Sequence, residues 1–196
     1  MDKLPISKDN TALLVIDMLD HFSKEADSDY RTRVAMVIER ISILRTTCHK
    51  LNIPVIYVNS HYESVDEYYK SGLSKKYPPH AIAGTPDAEV VPELKPASND
   101  YVVPKTANSG FFRTNLEELL TRLEKTSLVF AGVHTHVCVL LTAADANYRN
   151  FDVFAVSDCV TASTLERHAF GLSYIERHFG YVLTSEHLIK LLSSCP

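Results

Sequence analysis

Hydrophobic and polar positions along this chain fall into two interleaved patterns. Short apolar, β-branched runs recur at residues 11–17, 54–59, 100–103, 127–132, 152–156 and 181–184. Most are continuously apolar instead of alternating, which marks strands buried on both faces of a parallel sheet. Between most of them apolar residues return at helical spacing. Val34, Val37, Ile38, Ile41 and Leu44 form one stripe, Leu116, Leu119, Leu120 and Leu123 a second, and Leu165, Ala169, Leu172 and Ile175 a third. Strand and helix in alternation imply right-handed crossovers. The expected architecture is therefore a single-domain, doubly wound, three-layer α/β/α fold with a mainly parallel six-stranded sheet. One segment breaks the pattern. Residues 61–99 are rich in proline and tyrosine with weak periodicity, and they read as a long irregular loop or flap whose aromatic content favours an ordered cover over a site.

Composition narrows the partners. A chain of 196 residues that is 45% hydrophobic buries one substantial core, so residues 1–196 are expected to be one domain. The net charge is −4 and the lysines and arginines are scattered, without the basic stripe that neutralises phosphates. Nucleic acid is not an expected partner. The first ten residues are polar, and the longest apolar runs are strand-length, too short for a bilayer span or a signal-peptide core. A cytoplasmic protein with no membrane partner is the expectation. Cys48, Cys138, Cys159 and Cys195 show no CxxC pair, which argues against a zinc ribbon or disulfide framework and for free thiols in a reducing compartment.

In an open α/β sheet the ligand lies outside the carboxyl ends of the strands, so reactive groups just after each strand matter most. Asp17 closes the first strand, Lys105 follows the third, and Cys138 lies where the chain leaves the fourth strand for a helix starting near Val139. Taken singly, a cysteine is ordinarily a small buried hydrophobe, an aspartate a cap and a lysine a surface charge. Together they supply what a thiol hydrolase needs. A helix start and a nearby ammonium both favour the thiolate, and on that ground Cys138 is expected to titrate below a free thiol. A carboxylate can take the thiol proton and return it to a leaving amine. Backbone N–H groups at the helix start can hold an oxyanion.

The stretches ALLVIDMLDHF (residues 12–22), PPHAIAGTPDAEVVPEL (78–94), VPKTANSGFFRTNLEELL (103–120) and GVHTHVCVLLTAADA (132–146) occur in the order found in a known family. Through them nearly the whole chain resembles the isochorismatase-like cysteine hydrolases, which include nicotinamidases, N-carbamoylsarcosine amidases and ureidoacrylate amidohydrolases. The resemblance implies a catalytic triad of Asp17, Lys105 and Cys138 and a cis peptide at Val133–His134. It implies an oxyanion hole from the amides of His134 and Cys138. It also implies a small-molecule amide, N-carbamoyl or ureido substrate cleaved through a thioester, no required cofactor, and assembly as a homodimer or homotetramer. Phe22 and Phe112 are candidate substrate walls, or alternatively core aromatics.

Departures from the family pattern bear on the substrate. Leu19 stands where relatives often carry glutamine, which weakens a nicotinamidase assignment. His61 and His80 match two histidines of the nicotinamidase metal site, but Asn59 or Ser60 stands at its aspartate, so zinc is a weak candidate there. The alternatives are a bracing His80 and a solvent-facing His61. Asn150 replaces a common glycine at a helix end, a place where asparagine tolerates the left-handed conformation. Two competing functions remain: a vinyl-ether hydrolase of the isochorismatase type that uses Asp17 as the acid, and a catalytically silent scaffold.

Overall fold

The computed structural model describes residues 4–24, 27–71 and 77–194; Cys195 and part of the 61–99 segment lie outside them. β1 (Thr11–Ile16) leads through one turn, α1 (Asp20–Ser23), into α2 (Ser28–Lys50) and returns as β2 (Val55–Ser60). Then come α3 (Val65–Lys70), two 3-10 turns (Pro86–Ala88 and Pro92–Leu94) and β3 (Tyr101–Lys105). α4 (Leu116–Arg122) precedes β4 (Ser127–Val133), which feeds a π-helical turn (Thr135–Val139) continuous with α5 (Leu140–Tyr148). β5 (Asp152–Thr161), α6 (Leu165–His178), β6 (Gly180–Leu183) and α7 (Ser185–Ser194) follow.

The six strands lie in the order β3-β2-β1-β4-β5-β6, and every pairing is parallel. The central strands β1, β2 and β4 are buried at every position, as continuous apolar runs require. β3 tolerates Pro104 because it is an edge strand, where a missing N–H breaks no ladder. On one face Leu13 and Val15 pack against Val34, Val37, Ile41 and Leu44 of α2 and Leu188 and Leu192 of α7. On the other, Ala12, Leu14 and Ile16 meet Leu116 and Leu120 of α4, Ala143 and Ala146 of α5, and Ile175 of α6. Each such leucine or valine contributes roughly 1.5–3 kcal/mol by leaving water. Asp27 caps α2 by accepting from the Tyr30 N–H at 2.6 Å, and Asn150 closes the α5 end at φ 64°, in the left-handed region.

Three details differ from the sequence reading. The 61–99 segment contains a helical turn and a half at α3, whose Ser64 side chain accepts from the Glu67 N–H. The bridge Leu19–Val90 ties it to the body, and the bridge Tyr62–Ile82 closes it on itself. α7 was not foreseen. In α6 the buried face carries Gly171 and Ile175, flanked by half-buried His168 and Leu172, while Leu165 is 64% exposed and Ala169 faces solvent. Counting only apolar side chains rotated that stripe, because its inward face is marked by a glycine and a histidine.

The chain builds outward from β1 to β3, then restarts at β4 beside β1, so a crevice opens between the carboxyl ends of β1 and β4. Gly132 lets those ends approach. It sits at φ 113°, and a Cβ there would lie 2.0 Å from the Ile16 carbonyl oxygen, so any side chain would force β4 away from β1.

Candidate active site

Asp17 is the first residue past β1 and turns sharply, at φ 50°. Its N–H donates to the Val58 carbonyl at 3.1 Å, and its Oδ1 accepts from the Ser60 N–H at 2.6 Å. The carboxylate is thus held from the end of the neighbouring strand. Lys105 ends β3, two strands away, and its side chain reaches back over the end of β2. Its Nζ lies 2.7 Å from Asp17 Oδ2 and donates to Ser60 Oγ at 2.9 Å and to the Ala107 carbonyl at 3.1 Å. The contact with Oδ2 is a fully buried ion pair.

Cys138 enters from the opposite side, on the π-helical turn after β4, and Lys105 Nζ points at its Sγ from 3.6 Å. Asn108 Oδ1 stands 4.0 Å from the same sulfur. The Cys138 carbonyl accepts from Thr142 Oγ1 at 2.6 Å, fixing the turn to α5. Asp17 is fully buried, Lys105 is 1% exposed and Cys138 is 7% exposed. The structure therefore brings together the three residues that the strand-end argument selected.

Burial dominates the electrostatics. Removal from water would by itself lower the Lys105 ammonium, but the Asp17 carboxylate and Cys138 outweigh it and hold Lys105 above the ordinary lysine range. The Cys138 thiol is pushed up to about 12, first by burial and then by the Asp17 carboxylate, against the opposing pull of Lys105. This corrects the expectation of a depressed thiol. A helix start and an ammonium favour a thiolate only if the site has charge to spare, and here Asp17 already neutralises Lys105. The resting centre is a carboxylate, an ammonium and a neutral thiol. Moving the thiol proton to Asp17 creates the thiolate without changing the buried net charge.

The peptide bond Val133–His134 is cis. The His134 ring meets Phe22 edge-on at 5.7 Å and Tyr30 at 5.5 Å. Phe22 also meets His80 edge-on at 5.5 Å, and His80 stacks on His21 at 4.6 Å with an interplanar angle of 7°. Phe22 thus belongs to a histidine-rich aromatic cluster after β1. Phe112 is 50% exposed, with the Arg113 guanidinium 5.1 Å over its ring. It walls a cavity of about 1100 Å³ together with Asn108, Leu141, Tyr148 and Tyr174. Asn108 is shared between that cavity and the surroundings of Cys138.

The two candidate metal histidines have other partners. His61 Nε2 lies 3.3 Å from Glu63 Oε1, and His80 Nδ1 lies 3.1 Å from the Pro78 carbonyl. Among the described residues no three His, Cys, Asp or Glu side chains gather in a ligand set. Asn59 and Ser60, the two residues for the position of the expected carboxylate, are both buried; Asn59 Oδ1 is unpartnered, and Ser60 Oγ accepts from Lys105. Two imidazoles with a neutral amide or hydroxyl, and no carboxylate or thiolate as a third ligand, do not fit a zinc site.

Sequence reasoning weighed Ser60 only beside the metal histidines and missed its role here, where it binds Asp17 through its N–H and Lys105 through its hydroxyl; it also missed the Ala107 carbonyl that takes a third Lys105 contact. Ser60 ends β2, so the strand-end rule could have found it.

A doubly wound sheet with a buried acid, ammonium and thiol at its switch point defines a class of α/β hydrolytic centre. The isochorismatase domain model matches residues 11–187, and the chain belongs to that family; it is a hydrolase. It is 27% identical over 187 residues to the isochorismatase of Bacillus subtilis (strain 168), covering 95% of this chain but only 60% of that longer protein. A solved cysteine hydrolase from Pseudomonas syringae pv. phaseolicola 1448A superposes with a TM-score of 0.86 at 26% identity, over 97% of this chain and 95% of its own. The N-carbamoylsarcosine amidase of Thermoplasma acidophilum gives a TM-score of 0.78 at 29% identity, over 90% and 97%. Among the described residues no helix is long and apolar enough to cross a membrane.

Proposed function

We propose that this chain is a cysteine-dependent amidohydrolase that cleaves a C–N bond of a small amide, N-carbamoyl or ureido compound through a thioester. The observation that carries this reading is one ammonium, Lys105 Nζ, set 2.7 Å from Asp17 Oδ2 and 3.6 Å from Cys138 Sγ. In this mechanism the thiol proton passes to Asp17 as Sγ attacks the carbonyl carbon, and the carbonyl electrons move to oxygen. The amides of His134 and Cys138 receive that oxyanion. Collapse breaks the C–N bond, and Asp17 gives its proton to the departing nitrogen. Water then loses a proton to the Asp17 carboxylate as it attacks the thioester, and the sulfur leaves with that proton. Throughout, Lys105 offsets whichever of Asp17 or Cys138 is anionic.

The N-carbamoylsarcosine amidase likeness supports this reading, while the Bacillus subtilis isochorismatase relative supports a second one, vinyl-ether hydrolysis with Asp17 as the acid. A screen of nicotinamide, N-carbamoyl and ureido compounds for amine or ammonia release, run beside isochorismate cleavage, separates them. C–N cleavage abolished by Cys138→Ala is the expected result. Isochorismate cleavage that survives Cys138→Ala and fails in Asp17→Asn, with no amine released from any compound, would replace this reading by the second.

A further inference from the structure

The π-helical turn that carries Cys138 is held from behind by α6. Thr135, the first residue of that turn, is fully buried, and its Oγ1 shares a 2.9 Å hydrogen bond with His168 Nδ1. One helical turn further along α6, Gly171 packs directly on the same residue. A Cβ at 171 would lie 2.8 Å from the Thr135 carbonyl carbon and oxygen and 2.9 Å from the His136 nitrogen. Two positions of one helix face, at spacing i and i+3, therefore bear on one residue of the turn. Glycine inside a helix costs roughly 1 kcal/mol relative to alanine; here it permits a backbone approach that no side chain allows.

The helix itself is anchored. Thr164 caps it by accepting from the Arg167 N–H at 3.2 Å, and Arg33 of α2 donates to the Ser163 carbonyl at 3.0 Å. His168 is half-buried, and burial followed by the nearby Arg33 charge holds it below the ordinary histidine range. Near neutral pH it is a neutral imidazole, so it braces the turn without adding a charge to the centre.

We propose that His168 is a positioning residue: through Thr135 it fixes the height of the Cys138 turn, and with it the distance from the sulfur to Lys105 and Asp17. The idea rests on Cys138 as nucleophile only for its kinetic arm, because thiol reactivity reports the same geometry independently. The test compares His168→Leu, His168→Asn and Thr135→Val with the unaltered protein, at a temperature where each is folded by circular dichroism. Asparagine can place Oδ1 near the position of Nδ1, whereas leucine cannot.

His168→Leu is expected to lower kcat on the amide found by the screen at least about tenfold with KM within about twofold, since misplacing a reacting atom affects the chemical step. It should also change the iodoacetamide labelling rate of Cys138 at least about threefold, with His168→Asn restoring both to within about threefold. Thr135→Val should match His168→Leu, and the double variant should be no worse than the worse single one. A His168→Leu protein with lowered Tm but unaltered kcat and labelling would overturn the idea, as would an asparagine variant as impaired as the leucine one. If His168→Leu does not fold, Thr135→Val decides by the same thresholds. If no amide is turned over, the labelling ratios decide, and the functional reading fails separately.

Discussion

Asp17→Asn removes one negative charge from a centre in which the carboxylate is fully buried and Lys105 is 1% exposed. The asparagine keeps an oxygen for the Ser60 N–H but leaves the ammonium without its counter-ion. In Asp17→Asn alone Cys138 could ionise in compensation, so the comparison belongs in a Cys138→Ala background. Breaking one side of a buried ion pair costs about 3–5 kcal/mol. At about 2–4 °C per kcal/mol for a domain of this size, the Tm of Asp17→Asn/Cys138→Ala should fall about 6–20 °C below that of Cys138→Ala.

The pH dependence carries the sharper test. Burial lowers Lys105 once the carboxylate that outweighs it is gone, so its folded pKa drops below the unfolded value of about 10.4. Between those two values the unfolded chain binds more protons, and stability rises with pH. The double variant should therefore recover stability as the pH rises toward about 10.4 in urea unfolding. With Asp17 present the sign is opposite: Lys105 is raised, its contribution is complete below about 10.4, and no gain occurs over that range. Equal stability of the two proteins at pH 7, or parallel pH profiles, would refute the buried ion pair as the element that organises the site.

Other consequences follow from the same geometry. With the Cys138 thiol at about 12, iodoacetamide labelling of the free protein should keep rising with pH up to pH 9; a plateau already reached at pH 7 would contradict a neutral resting thiol. Ser60→Ala removes one oxygen that accepts from Lys105 and should cost about 1.5–3 kcal/mol, the range for hydrogen bonds to charged groups, read from urea midpoints. Because neither Asn59 nor Ser60 brings a carboxylate to His61 and His80, dialysis against EDTA should leave turnover unchanged; loss restored by zinc would show that a ligand set forms there.

The fold was legible because strands buried on both faces must be apolar at consecutive positions, and 12–16, 55–58 and 128–133 are. The inward face of α6 was not, since His168 and Gly171 carry no hydrophobic signal, and only the closeness of the Thr135 backbone explains them. Asp17 and Lys105 were readable from their places at strand ends. Ser60 shares that position, but a serine hydroxyl announces no chemistry until the lysine above it is seen. The direction of the Cys138 shift was misread for a related reason: counting helix N–H groups and one lysine omits burial and the carboxylate that already claims the ammonium. Such balances depend on three-dimensional neighbours from three different strand ends.

The central claim is a covalent bond to Cys138 during turnover. Mixing the protein with a hydrolysed amide, quenching in acid within the first turnover and weighing the intact chain and its peptides by mass spectrometry tests it directly. The account predicts an added acyl mass on the peptide containing Cys138, absent in Cys138→Ala, which should also lack turnover. Steady hydrolysis with no adduct at any quench time, and undiminished in Cys138→Ala, would contradict it.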